Sequence, residues 1–176
     1  MSILFKTPNL LLQDWLDNRC PDYLAALFRH HSAPTSTECE ECLLPSLSLY
    51  SCLECLGNRR LCQACLLQTH RFTPTHQTSH WHGTFWEPTS LLELGLILCL
   101  GHSGQKCPSQ HTRSQLQVGD ISGFSTVNVM YCICDLRDGP AKAIQLLHVG
   151  LFPCSDIVPQ SAFTLSLLNH FNLCVP

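Results

Sequence analysis

The chain has 176 residues, of which 45% are hydrophobic and only 13% charged, with a formal net charge of −3. That length makes one domain or two small ones with enough apolar residues for a core, and the weak negative charge gives no electrostatic case for strong nucleic-acid binding. Thirteen cysteines and ten histidines stand out against this background, and their spacing is the first thing to read.

The first twenty residues, MSILFKTPNLLLQDWLDNRC, have their apolar run broken by Lys6, Pro8 and Asp14, which does not suit a secretory signal. The later run LLELGLILCL is too short to span a bilayer and carries Glu93. Both point to an intracellular, reducing setting, where clustered cysteines bind metal rather than pair as disulfides. Thr7-Pro8 is a helix start, and Leu11, Leu12, Trp15 and Leu16 follow at helical spacing. Cys20-Pro21-Asp22 is a second start, followed by Tyr23, Leu24, Leu27 and Phe28. Residues 1–31 are therefore expected to form two short amphipathic helices that pack on each other or on the module that follows. His30 and His31 end the second helix as polar terminal residues rather than ligands. Residues 32–38, SAPTSTE, read as a linker.

Residues 39–80 carry the densest chemistry. Three Cys-x-x-Cys pairs, Cys39/Cys42, Cys52/Cys55 and Cys62/Cys65, are followed by His70 and His76. Zn²⁺ takes four such donors tetrahedrally, so eight make two closed sites. Interleaving assigns Cys39, Cys42, Cys62 and Cys65 to one ion and Cys52, Cys55, His70 and His76 to the other. This is a cross-brace, and the ligand order resembles B-box and ZZ-type zinc fingers. Leu47, Leu49 and Tyr50 suggest a strand into Cys52, and Leu61 to Thr69 a short helix. Arg59, Arg60 and Arg71 read as a solvated basic face rather than a phosphate site. His80 and His82 alternate in QTSHWHGTFW and could share one strand face. They could compete with His76 for the second ion, but the spacing from His70 to His76 better suits a loop returning to one ion. Trp81, Phe85 and Trp86 read as anchors between the finger and the next part.

Residues 81–158 are expected to be β-rich. LILCL, 96–100, reads as a buried strand, with Cys99 as a core residue. The stretch 124–134, FSTVNVMYCIC, alternates so that Val127, Val129, Tyr131 and Ile133 line one face and Cys132 and Cys134 point together to the other. With His102 and Cys107 from the turn-rich loop before it, they would make a third tetrahedral site, for which His111 could replace His102. Asp120 falls in the turn before this strand. QLLHVGLF, 145–152, reads as a further strand, antiparallel to the last, across the turn Asp138-Gly139-Pro140. His148 is then a sheet residue. Pro159 opens a final helix, 159–176, with Phe163, Leu167, Leu168 and Phe171 on one face. Cys20, Cys154 and Cys174 have no partners at ligand spacing. The fold expected is α+β: a small zinc-stabilised cross-brace finger, then a small antiparallel sheet with flanking helices.

The series LYSCLECLGNRRLCQACLLQTHRFTPTH, HWHGTFWEPTSLLELGL, LGHSGQKCP, VNVMYCICD, QLLHVGLFP and FTLSLLNHF resembles the cysteine-cluster domain of KDZ (Kyakuja-Dileera-Zisupton) transposases, found mostly in fungal genomes. The resemblance is to the class with a late Cys-x-Cys, matched by Cys132-Ile133-Cys134, and it runs from about Leu12 to the end. It implies an accessory zinc domain upstream of a catalytic domain for which this chain leaves no room, and a nuclear setting. The expected protein is thus a truncated or stand-alone, non-catalytic module recognising DNA, chromatin or a protein. It has no paired catalytic carboxylates, no phosphate-cradling loop and no supported Ser/His/Asp order, so no enzyme and no small-molecule substrate is expected; no membrane partner is expected either. The alternative is a B-box-like protein-interaction module in ubiquitin or signalling pathways.

Overall fold

The computed structural model describes residues 8–108, 111–134 and 141–174, which divide into two compact units between Thr35 and Ser36. The first unit holds two helices, α1 (Pro8–Asn18) and α2 (Cys20–His30). Pro8 and Pro21 lie in their first turns, where a missing N–H costs nothing. The expected cap Thr7 lies outside the described residues. Trp15 and Tyr23 meet edge to face, 5.8 Å between ring centroids, yet no residue of either helix is buried.

The second unit is α+β. A three-stranded antiparallel sheet is made of β1 (Tyr50–Cys52), β2 (Thr78–Trp81) and β3 (Trp86–Thr89), with the helix α3 (Gln63–Thr69) beside it. β1 starts three residues later than the apolar run Leu47–Tyr50 implies, and α3 falls where the helix was expected. Tyr50, Leu61, Leu66 and Cys39 form its core together with Leu91 and Leu96 from the segment after β3. That segment opens with a capping box: the Ser90 amide donates to the Glu93 carboxylate at 3.0 Å, and the Glu93 amide to the Ser90 hydroxyl at 3.1 Å.

The larger sheet combines β4 (Ile97–Cys99), β5 (His111–Asp120), β6 (Gly123–Cys132), β7 (Leu151–Pro153) and β8 (Ser161–Thr164) in the order β4-β6-β5-β8-β7. It is mixed rather than antiparallel: β4 runs parallel to β6, and β5 parallel to β8. The second of these pairings follows a crossover after β6 that contains a helix, α4 (Lys142–His148). The expected strand 145–152 is therefore wrong for most of its length. Ala143 and Leu146, three apart, bury one helical face, and Gly150 at φ +82° follows the helix end, donating its amide to the Leu147 carbonyl at 3.0 Å. Only Leu151–Pro153 remains as strand. The turn Asp138-Gly139-Pro140 lies outside the described residues.

The expected helix 159–176 also needs correction. Ser161–Thr164 is β8, wedged between β5 and β7, so Phe163 belongs to a strand. The helix α5 (Leu165–Cys174) begins after it, with the Thr164 hydroxyl accepting from the Leu167 amide at 3.2 Å as an N-cap. The sheet's core is Leu98, Leu100, Leu116, Val118, Val127, Val129 and Tyr131, covered by Leu146 of α4 with Leu151 and Ala162. No helix among the described residues is long and apolar enough to cross a membrane.

Candidate metal centres

Twelve cysteine and histidine side chains gather into three groups of four, within each of which the donor atoms all lie within 4.8 Å of one another. The groups are Cys39, Cys42, Cys62 and Cys65; Cys52, Cys55, His70 and His76; and His102, Cys107, Cys132 and Cys134. These are the groupings that the spacing suggests.

The first group is built by a tight turn and a helix start. The Leu43 amide donates to the Cys39 carbonyl at 2.8 Å, and the Cys39 amide to the Leu44 carbonyl at 2.9 Å, folding Cys39 and Cys42 toward one point. Cys62 is the N-cap residue of α3, which brings Cys65 in the first turn to the same side. The Glu40 amide donates to the Arg60 carbonyl at 2.9 Å and ties the halves together. Cys42 Sγ and Cys62 Sγ are 4.0 Å apart. The four sulfurs cannot all ionise unaided. Burial pushes the Cys39 thiol up, but hydrogen bonds from the backbone amides of Cys42, Cys62 and Glu41 and from the Cys42 thiol outweigh it and bring it down to about 6. Cys65 is pushed up to about 12, first by its hydrogen bond with Cys62, then by burial and by Cys39 and Cys42. A bound cation removes this conflict by compensating all four thiolates together.

The second group joins the end of β1 to the far end of α3. His70 closes that helix and is 2% exposed. Its Nδ1 lies 2.9 Å from the Leu66 carbonyl, which can only accept, so Nδ1 carries the proton and Nε2 offers its lone pair. Nε2 lies 3.3 Å from Cys55 Sγ. His76 instead turns Nδ1 to the group, 3.5 Å from both Cys52 Sγ and Cys55 Sγ. His80 and His82 stand in a separate cluster with Glu87.

In the third group, His102 belongs to a short 3-10 turn, His102–Gly104, Cys107 is buried, and Cys132 ends β6. His102 Nε2 lies 3.2 Å from Cys134 Sγ and 3.3 Å from Cys132 Sγ, and Cys107 Sγ lies 3.0 Å from Cys134 Sγ and 3.6 Å from Cys132 Sγ. Gly101 makes the approach feasible: a Cβ there would sit 2.5 Å from Cys132 Cβ. His111 is opposite Cys132 in the β5–β6 ladder and outside the group. One positioning residue was missed in the sequence. The buried Gln145 of α4 accepts from the Cys132 amide at 2.9 Å and donates to the Cys132 carbonyl at 3.0 Å. A glutamine in the run AIQLL is the only sequence trace of it.

The donor spacings lie near those of a tetrahedral ion, with the 3.0 Å between Cys107 Sγ and Cys134 Sγ the one clearly shorter edge. With bonds of about 2.3 Å to sulfur and 2.0 Å to nitrogen, the edges of such a site are about 3.8 Å between sulfurs and 3.5 Å from sulfur to nitrogen. All three groups can hold a metal, and each supplies four protein donors.

The arginines turn inward or pair locally. Arg60 is 9% exposed, donates to the Ser51 hydroxyl at 3.0 Å and to the Asn58 carbonyl at 2.6 Å, and lies 4.7 Å over the Trp86 ring. Arg59 pairs with Glu41. The solvated basic face expected of Arg59, Arg60 and Arg71 therefore fails at Arg60. Asp120 is the last residue of β5 and accepts from the hydroxyls of Thr75 at 2.8 Å and Thr164 at 2.6 Å, joining the loop between α3 and β2 to β8.

Residues 91–175 match the family model described as a CxC2 like cysteine cluster associated with KDZ transposases. The match is to an accessory cysteine-cluster family rather than to a catalytic transposase domain. No curated protein and no solved structure gave a match.

Proposed function

We propose, from the premise that residues 91–175 are a cysteine cluster of the kind associated with KDZ transposases, that the chain is a non-catalytic zinc-binding module that recognises a macromolecular partner. Three Zn²⁺ ions serve as its scaffold, two of them in a cross-brace and the third at the end of β6. The observation that carries this is the completeness of the three groups, each with four protein donors whose ligand atoms lie within 4.8 Å of one another. A zinc so enclosed keeps no position for water and acts structurally rather than as a Lewis acid. Thiolate-rich donor sets favour Zn²⁺ over harder cations. Elemental analysis of protein purified without added metal tests this: about three Zn²⁺ per chain are expected, and Cys52→Ser should remove one. A content near two would sink the third site, and a content near zero the whole proposal.

The partner is DNA, chromatin or a protein, in a nuclear setting in fungal cells. Among these a protein is favoured, because Arg60 is buried and Arg59 is paired, while a cavity of about 990 Å³ lined in part by Leu98, Val149 and Leu165 opens beside His76 and Cys134. This also suits a B-box-like interaction module. Titration with labelled duplex DNA distinguishes the two. Tight binding that weakens steeply with salt supports DNA, and its absence supports protein.

A further inference from the structure

The β2–β3 hairpin carries a fourth set of donors that the three clusters leave unused. His80 lies on β2 and His82 just beyond it, while Glu87 of β3 stands directly opposite His80. Alternation along an extended strand puts residues two apart on one face, and cross-strand pairing adds the residue opposite. The donor atoms of the three lie within 4.8 Å of one another. His82 Nε2 is 3.0 Å from a Glu87 carboxylate oxygen, and the two imidazole rings are 5.2 Å apart. Both rings are supported by aromatic neighbours. His80 stacks on Tyr50 at 4.7 Å, and His82 on Phe85 at 5.7 Å and only 10° from parallel.

One atom is unaccounted for. The Nε2 of His80 is buried without a hydrogen-bond partner, a costly state unless something else satisfies it. The His82–Glu87 pair alone is no adequate reason for the arrangement, because both side chains are about half exposed, at 52% and 53%, and exposed pairs add little.

We propose that His80, His82 and Glu87 form a fourth metal site for a borderline divalent cation such as Zn²⁺. Two imidazoles and a carboxylate are a donor set that Zn²⁺ accepts with at least one position left to water. The site would therefore be weaker and more exchangeable than the four-donor clusters. An ion there would fasten the turn end of the hairpin whose β2 strand pairs with β1.

The test uses the full chain with its tightly bound metal in place, titrated with ZnCl₂ by calorimetry while the imidazole nitrogens are followed by NMR. Zn²⁺ serves better than Cu²⁺ as the probe because it does not oxidise thiols. One further, weaker equivalent is expected, with the ring signals of His80 and His82 moving together. Losing even an outer partner of a ligand costs roughly 10–100-fold in affinity, so His82→Ala and Glu87→Gln should each weaken this equivalent by at least about tenfold. Neither should change the tight metal content or the dispersion of the amide spectrum beyond the β2–β3 turn, since both side chains are exposed. The proposal is overturned if no further equivalent binds, if it survives both substitutions, or if the shifts fall on His30 and His31 instead. The tight metal content of the same samples reports separately on the three clusters.

Discussion

Gln145 and Asp120 each tie two segments together without being among the twelve candidate ligands. Gln145 satisfies the Cys132 backbone in both directions. Gln145→Leu fills the space but removes a donor and an acceptor from a buried peptide, at a cost of about 1–3 kcal/mol. Urea denaturation of zinc-loaded protein should show that loss, with zinc at His102, Cys107, Cys132 and Cys134 released before the other two ions. Asp120 holds Thr75 and Thr164 together. Burial pushes its carboxyl up, but the bonds from Thr164, Thr75 and the Ile121 amide, with His76 nearby, outweigh it and hold it below the usual range. Asp120→Ala should cost roughly 2 kcal/mol at neutral pH. The folded-state pKa is the lower one, so this contribution is complete above the unfolded value of about 3.9 and is lost only as pH falls through the folded value. Wild type and Asp120→Ala should therefore lose stability in parallel from about pH 8 to about pH 5, where protons compete for thiolates and imidazoles. Thermal melts across that range check the point, and a gap that closes above pH 5 would contradict it.

At the scale of elements, the end of α4 is the most exposed to a single change. Gly150 has φ +82° and open space where a Cβ would go, so Gly150→Ala tests backbone strain alone. It should lower stability by about 1–2 kcal/mol, measured by denaturant melts. The same segment shows where sequence reading stopped. In QLLHVGLF the apolar residues suit either period, and burial of Ala143 and Leu146 against the sheet decided for a helix. β5 was missed because only Leu116 and Val118 of its ten residues have large buried apolar side chains, the rest of its pairing being backbone to β6 and β8. Phe163 looked helical beside Leu167 and Phe171, yet the parallel ladder with β5 claimed it. β6 and α3 were legible because each has a strong local period. The donor groupings were legible too, since Cys-x-x-Cys spacing and strand alternation are local rules. Gln145 was not, because its target is thirteen residues away in sequence.

For the whole molecule, the two cores differ in what holds them. The finger's core is the smaller, Cys39 with Tyr50, Leu61, Leu66, Leu91 and Leu96, whereas the sheet buries Leu98, Leu100, Leu116, Val118, Val127, Val129, Tyr131, Leu146, Leu151 and Ala162. Structural zinc supplies about 10–16 kcal/mol in small fingers at neutral pH, comparable to an entire domain's stability. A strong chelator should thus abolish dispersed amide signals from Cys39–His76 first, and those of β5, β6 and β8 later or in part. A finger that stays folded in excess chelator with reduced cysteines would refute a metal scaffold. Leu91 and Leu96 carry a different consequence. They sit at the start of the matched segment but pack with Tyr50, Leu61 and Leu66. A splice made at Leu91 would strip the donor protein's finger of two core leucines and hand the recipient two leucines without a pocket. Recombination could move the cysteine cluster intact only by carrying the finger along with it, so inheritance of the two as one piece is the physically cheap route.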